Sequence, residues 1–129
     1  MKTDQQILVL TEEETLALNS PYQSYWYCYS NKDANIKAHE KIIIDSKDPE
    51  YCYGFARYIS EENLKEIQNV IVNSKNAQYC YFFALDIEDS DKQLLSEVVL
   101  KSRDVYWIQE FYKHINFDKT KYETLMLFI

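Results

Sequence analysis

Asp48 to Lys75, DPEYCYGFARYISEENLKEIQNVIVNSK, is followed without a gap by Asn76 to Arg103, NAQYCYFFALDIEDSDKQLLSEVVLKSR, and the second stretch is a variant of the first. With the two in register, 28 residues apart, the columns read Asp48/Asn76, Tyr51/Tyr79, Cys52/Cys80, Tyr53/Tyr81, Phe55/Phe83, Ala56/Ala84, Ile59/Ile87 and Ser74/Ser102. The same spacing runs back to Ser20, Tyr25, Tyr27, Ile43 and Ser46, and forward to Asp104, Trp107, Phe111, Ile115 and Met126. A fixed period of this length marks a repeat architecture. It predicts an all-α chain, an α-solenoid of four helix-turn-helix copies at about 20–47, 48–75, 76–103 and 104–129, behind an N-terminal cap segment, 1–19.

Within each copy the pattern predicts two short helices. Ser20, Asp48, Asn76 and Asp104 share one column, and all four are N-cap residue types. Pro21 and Pro49 follow at the first helical position, where a missing amide hydrogen is harmless. The first helix, about Pro49 to Ile59, places Tyr51, Cys52, Phe55, Ala56 and Ile59 on one face. The second, about Glu61 to Asn73, buries Leu64, Ile67, Val70 and Ile71. Ahead of the copies, Thr11 to Glu14 reads as a capping box opening a helix of about Glu12 to Leu18. Leu16 falls in the column of Ile44, Val72 and Leu100, so this helix is expected to be a degenerate second helix. Gln5 to Leu10 suits a strand or a buried helical turn equally.

Composition narrows the function classes. One Gly and two Pro leave little material for tight hairpins or phosphate-cradling loops. A net charge of -7 argues against a surface that tracks nucleic-acid phosphates and for a basic partner. No apolar run reaches the length of a membrane span, and no cleavable leader is visible at the N-terminus, so a cytoplasmic location is expected. Three cysteines, Cys28, Cys52 and Cys80, are an odd number without metal-ligand spacing. They read as small buried hydrophobes.

Aromatic residues carry the candidate partner surface. Tyr25, Tyr53 and Tyr81 form one column, and Trp26, Gly54, Phe82 and Glu110 form the next. Either these rings pack between copies or, joined by Tyr22, Tyr29 and Tyr106, they form a ridge for a partner, with Gly54 opening a notch between Trp26 and Phe82. Glu88 and Asp89, in an acidic run from Asp86 to Asp91, would add electrostatic steering. That run lacks calcium-loop spacing and reads as a solvated helix start. His39, in the column of Ile67 and Leu95, is expected to be a semi-buried core imidazole, and His114 to complement a helix C-terminus. No catalytic residue, metal site or cofactor is expected.

The alternation of short helices resembles the HEAT and leucine-rich-variant class of helical repeats, and the signature D-x-x-Y-C-Y-x-F-A-x-x-I is similar to short tandem repeats in proteins of AT-rich bacteria and their phages. The resemblance covers Ser20 to Ile129 and implies a binding scaffold rather than an activity. The expected function is a non-catalytic, acidic protein-binding module. A small stand-alone inhibitor is one form of it, such as a phage-encoded anti-CRISPR protein or a toxin immunity protein. Its partner would be another protein, a basic nucleic-acid-binding one fitting the charge, with no direct contact to nucleic acid or membrane. Two other classes are carried alongside. A self-associating repeat protein would pair through the apolar C-terminal run Leu125 to Ile129, and a small metal-dependent enzyme would use the Asp86 to Asp91 run with His114.

Overall fold

The computed structural model describes residues 10–128. Most of the ambiguous Gln5 to Leu10 segment, and Ile129, lie outside the described residues. Among the described residues the chain is all-α, with nine helices and no strand. They are α1 (Glu12–Ala17), α2 (Pro21–Ser30), α3 (Ile36–Asp45), α4 (Pro49–Tyr58), α5 (Leu64–Ser74), α6 (Ala77–Asp86), α7 (Lys92–Ser102), α8 (Val105–His114) and α9 (Thr120–Met126). The starts of α2, α4, α6 and α8 step by 28 residues, and so do the starts of α3, α5, α7 and α9.

Local chemistry sets these boundaries. Thr11 and Glu14 form the expected capping box, each side chain bonding the other's amide at 3.1 Å. Ser20, Asp48 and Asn76 accept from Gln23, Glu50 and Tyr79 N–H groups at α2, α4 and α6. Asp104 makes no such bond at α8, although its backbone is equally extended. Ahead of α2, α4, α6 and α8 the chain turns through a left-handed residue: Asn19, Lys47, Lys75 and Arg103 have φ of 49°, 59°, 57° and 59°. Glycine is the usual occupant of that conformation, which disfavours a residue with a Cβ. A serine latch holds three of the four turns. Ser46, Ser74 and Ser102 each donate to a carbonyl three residues back (Ile43, Ile71, Val99) at 2.6 Å and accept from the amide two residues ahead at 3.1–3.2 Å.

Helices α1 to α8 each pack on those one and two places away in the chain, and α9 packs on α8, which lays α2, α4, α6 and α8 in one row and α1, α3, α5 and α7 in another. The core lies between the rows. Phe55, Phe83 and Phe111, one column, are fully buried, as are Ile43, Ile71 and Val99 opposite them. Tyr51 and Ile59, expected on the buried face, are only half-buried. A second clamp runs along the other row at the same period. Glu12 Oε2 accepts from Asn35 N–H at 2.7 Å, Glu40 Oε1 from Asn63 Nδ2, and Gln68 Oε1 from Asp91 N–H at 2.6 Å. In each case a side chain on one helix satisfies the residue that precedes the next helix of its row. Asn63 is held in this way at the start of α5, which begins at Leu64 rather than at Glu61.

Candidate functional site

The first row presents its aromatic residues on one side because of helical spacing. On α2, Tyr22, Tyr25, Trp26 and Tyr29 follow at i, i+3, i+4 and i+7, which brings them onto one face. Tyr79, Phe82 and Asp86 repeat that spacing on α6, and α4 supplies Glu50, Tyr51, Tyr53, Gly54 and Arg57 between them. Together these three helices line an open groove of about 670 Å³.

Two rims and a polar floor make up the groove. Tyr22 and Trp26 stand at the α2 rim with centroids 6.4 Å apart, and Trp26 is 45% exposed. Phe82 and Leu85 supply the α6 rim, where Phe82 packs on Tyr79 at 5.8 Å. In the floor, the Tyr53 hydroxyl donates to the Asp86 carboxylate and accepts from Arg57 Nη1 at 2.8 Å, while Arg57 and Asp86 also form an ion pair. Burial first, then the bond to Asp86, pushes the Tyr53 phenol up to about 12, with Arg57 opposing. The residue therefore stays a neutral donor through the physiological range.

Of the residues singled out from the sequence, the groove brings together Tyr22, Tyr25, Trp26, Tyr53 and Phe82. Tyr25 and Tyr81 are not a free ridge. They are only 9% and 7% exposed, because each ring lies against the next helix of the row: Tyr25 on Tyr51 at 6.1 Å, Tyr81 on Trp107 at 5.5 Å. Gly54 is likewise buried, and a Cβ there would stand 3.1 Å from Tyr25 Cε2, so the expected notch is where the Tyr25 ring seats. Tyr29 is exposed beside Tyr25 and Tyr58, and Tyr106 is 59% exposed at the edge of Trp107, both outside the groove lining. Glu88 and Asp89 are exposed in the α6–α7 turn, away from the groove. The Lys92 ammonium donates to the Glu88 carbonyl there at 2.8 Å.

Sequence reasoning missed Arg57, Glu50, Tyr51 and Tyr79 as groove residues, and took Asp86 for part of a solvated acidic run. An Arg four residues after a Tyr on one helix was the available signal for the Tyr53–Arg57 contact. Nothing local pointed to Asp86, which reaches them from the following copy.

A second polar cluster lies under α1. His39 is fully buried rather than half-buried. Its Nδ1 bonds Ser24 Oγ at 2.9 Å, its Nε2 bonds Glu12 Oε2 at 3.1 Å, and Tyr27 stacks on the ring at 5.1 Å. Serine, histidine and carboxylate are linked, but through the opposite ring nitrogens from a hydrolase triad, and Ser24 is 0% exposed, so its hydroxyl meets no solvent. The cluster ties α1, α2 and α3 together. His114 pairs with Glu110 at 3.3 Å.

No family model, curated protein or solved structure matches the chain. Function has to be read from the groove's own chemistry. Cys28, Cys52 and Cys80 are free and buried, and burial pushes their thiols up to about 11, 12 and 12. They are therefore protonated, inert packing groups at neutral pH. Among the described residues no three His, Cys, Asp or Glu side chains converge to hold a metal ion, and no helix is long and apolar enough to cross a membrane.

Proposed function

We propose that the chain is an α-solenoid of four 28-residue helix pairs, copies 20–47, 48–75, 76–103 and 104–129 behind a cap at 1–19, and that it acts as a non-catalytic protein-binding module. The solenoid reading is supported by the 28-residue step in both helix series and by packing confined to near neighbours, the form of cohesion on which stacked repeats rely. One observation carries the binding reading: a concave groove walled by aromatic rings from three successive helices of one row, with Tyr22 and Trp26 exposed at its rim. Tyr and Trp are the side chains that most often anchor protein interfaces, because they bring large contact area with few rotatable bonds. The net charge of -7 favours a basic partner, including a nucleic-acid-binding protein, and would speed their encounter.

The test is protection from hydrogen exchange in the complex with a purified partner. Protection concentrated on α2, α4 and α6 is expected. Protection confined to the opposite row, α3, α5 and α7, would overturn the groove as the contact surface. A second reading, self-association, is favoured by Leu127 and Phe128, which are 82% and 81% exposed beside an apolar groove between α7, α8 and α9. Leu125 and Met126 are half-buried, so only part of the C-terminal apolar run is available for it. A molar mass by light scattering that falls from dimer to monomer in Phe128→Lys would establish that reading.

A further inference from the structure

The groove's chemistry also selects what the partner inserts. Its lining contains three charged side chains: Glu50, Arg57 and Asp86. Arg57 and Asp86 satisfy one another and hold Tyr53, so neither is left to bind an incoming charge. Glu50 is different. Its side chain is exposed, and among the described residues no Lys, Arg or His pairs with it. Its field reaches a ring on its own helix and one on the next helix of the row, since after burial itself Glu50 is the next cause raising the phenols of Tyr51 on α4 and Tyr79 on α6.

We propose that the groove is a cation box that takes an arginine or lysine side chain from the partner protein, with aromatic rings around the charged head and the Glu50 carboxylate as its counter-ion. This rests on the protein-binding reading and adds the chemistry of the inserted group. Aromatic faces carry negative quadrupole potential, so the lining rings and the unpaired carboxylate attract the same kind of guest. An apolar side chain would desolvate Glu50 without pairing it, and an anion would be repelled by it. A long aliphatic stem ending in a cation satisfies both parts of the lining, its methylenes lying along the rings and its head at the carboxylate. At about 670 Å³ the groove lies in the size range of sites that enclose a small ligand, ample for one such side chain.

The probes are three acetylated, amidated tripeptides, Gly-Arg-Gly, Gly-Lys-Gly and Gly-citrulline-Gly, the last keeping the shape of arginine without its charge. Each is titrated into the full chain while the Trp26 indole N–H resonance, assigned with Trp26→Phe, is followed by NMR. Saturable shifts are expected with the Arg and Lys peptides and binding about fivefold weaker or more with citrulline, in line with the magnitude of a cation–π contact. Glu50→Gln should weaken the Arg peptide by a similar factor, whereas Glu66→Gln, exposed on α5 in the other row, should not. Equal binding of arginine and citrulline, no effect of Glu50→Gln, or no shift at all would each overturn the cation box. A purified partner separates this outcome from failure of the underlying reading. Affinity that falls in Trp26→Ala but not in Glu50→Gln overturns the cation box and leaves the groove as the interface; affinity indifferent to both removes the groove.

Discussion

Two junctions in the same row use the same residue offsets and end differently. Where α2 meets α4, Tyr25 lies over Tyr51 and Gly54, 26 and 29 residues ahead; where α4 meets α6, Tyr53 lies over Tyr79 and Phe82 at the same two offsets. Gly54 has no side chain, so the Tyr25 ring sinks until it is 9% exposed. Phe82 fills the equivalent space at a centroid distance of 5.9 Å, and Tyr53 is left only half-buried, with its hydroxyl delivered to Arg57 and Asp86. Gly54 against Phe82 is one difference between these junctions, and Tyr29 and Tyr58 against Arg57 and Asp86 are two more; at the third junction Tyr81 is buried although Glu110 stands in the Gly54 column. The polar floor arises where the 28-residue pattern is broken at a few positions, Phe82, Arg57 and Asp86 together.

The largest expected effect tests whether the two junctions share a floor. Phe55 and Phe83 are both 0% exposed, so Phe55→Ala and Phe83→Ala should each destabilise the fold by about 3–5 kcal/mol in urea titrations. A loss of under about 1 kcal/mol at either would place the difference between the junctions in the core itself.

Smaller effects separate the two tyrosines. Tyr53→Phe removes a hydroxyl with two named partners and should cost about 0.5–1.5 kcal/mol, more than Tyr25→Phe, whose ring contacts remain. Equal losses would mean that the Tyr53–Arg57–Asp86 network adds nothing to the packing. The same network has a pH signature. Because the Tyr53 phenol is raised from 10 in the unfolded chain to about 12, its contribution to stability is fully present below pH 10 and is lost as pH climbs toward 12. A spectrophotometric titration of Tyr53→Phe should lack one phenol ionising near the top of that window; an unchanged curve would contradict the assignment.

The smallest change is made at Gly54. Gly54→Ala gains up to about 1 kcal/mol of helix preference, against a tight contact 3.1 Å from Tyr25 Cε2, so its net effect should stay within about 0.5 kcal/mol of zero. Gly54→Phe should instead lift Tyr25 toward solvent, as Phe82 does Tyr53, and be read as increased quenching of tyrosine fluorescence by acrylamide. Quenching that does not rise would show that something other than this column sets the height of the ring.

Local chemistry made much of the fold legible from residue order alone. The 28-residue step, the N-caps at Ser20, Asp48 and Asn76, the Thr11–Glu14 capping box and the buried phenylalanine column all depend on groups within a few residues or on helical spacing. Tertiary packing decided the site. Tyr25 and Tyr53 are the same residue in the same column, and their neighbours distinguish them: Gly54, Tyr29 and Tyr58 around the first, Phe82, Arg57 and Asp86 around the second. Asp86 joins Arg57 from the next copy, and His39 finds Ser24 and Glu12 from two other helices, each across a sequence separation at which local pattern carries no signal. Backbone preferences act over one helical turn and are written in the sequence. Burial and polar pairing depend on which surfaces meet once the helices stack, and those contacts exist only in the assembled chain.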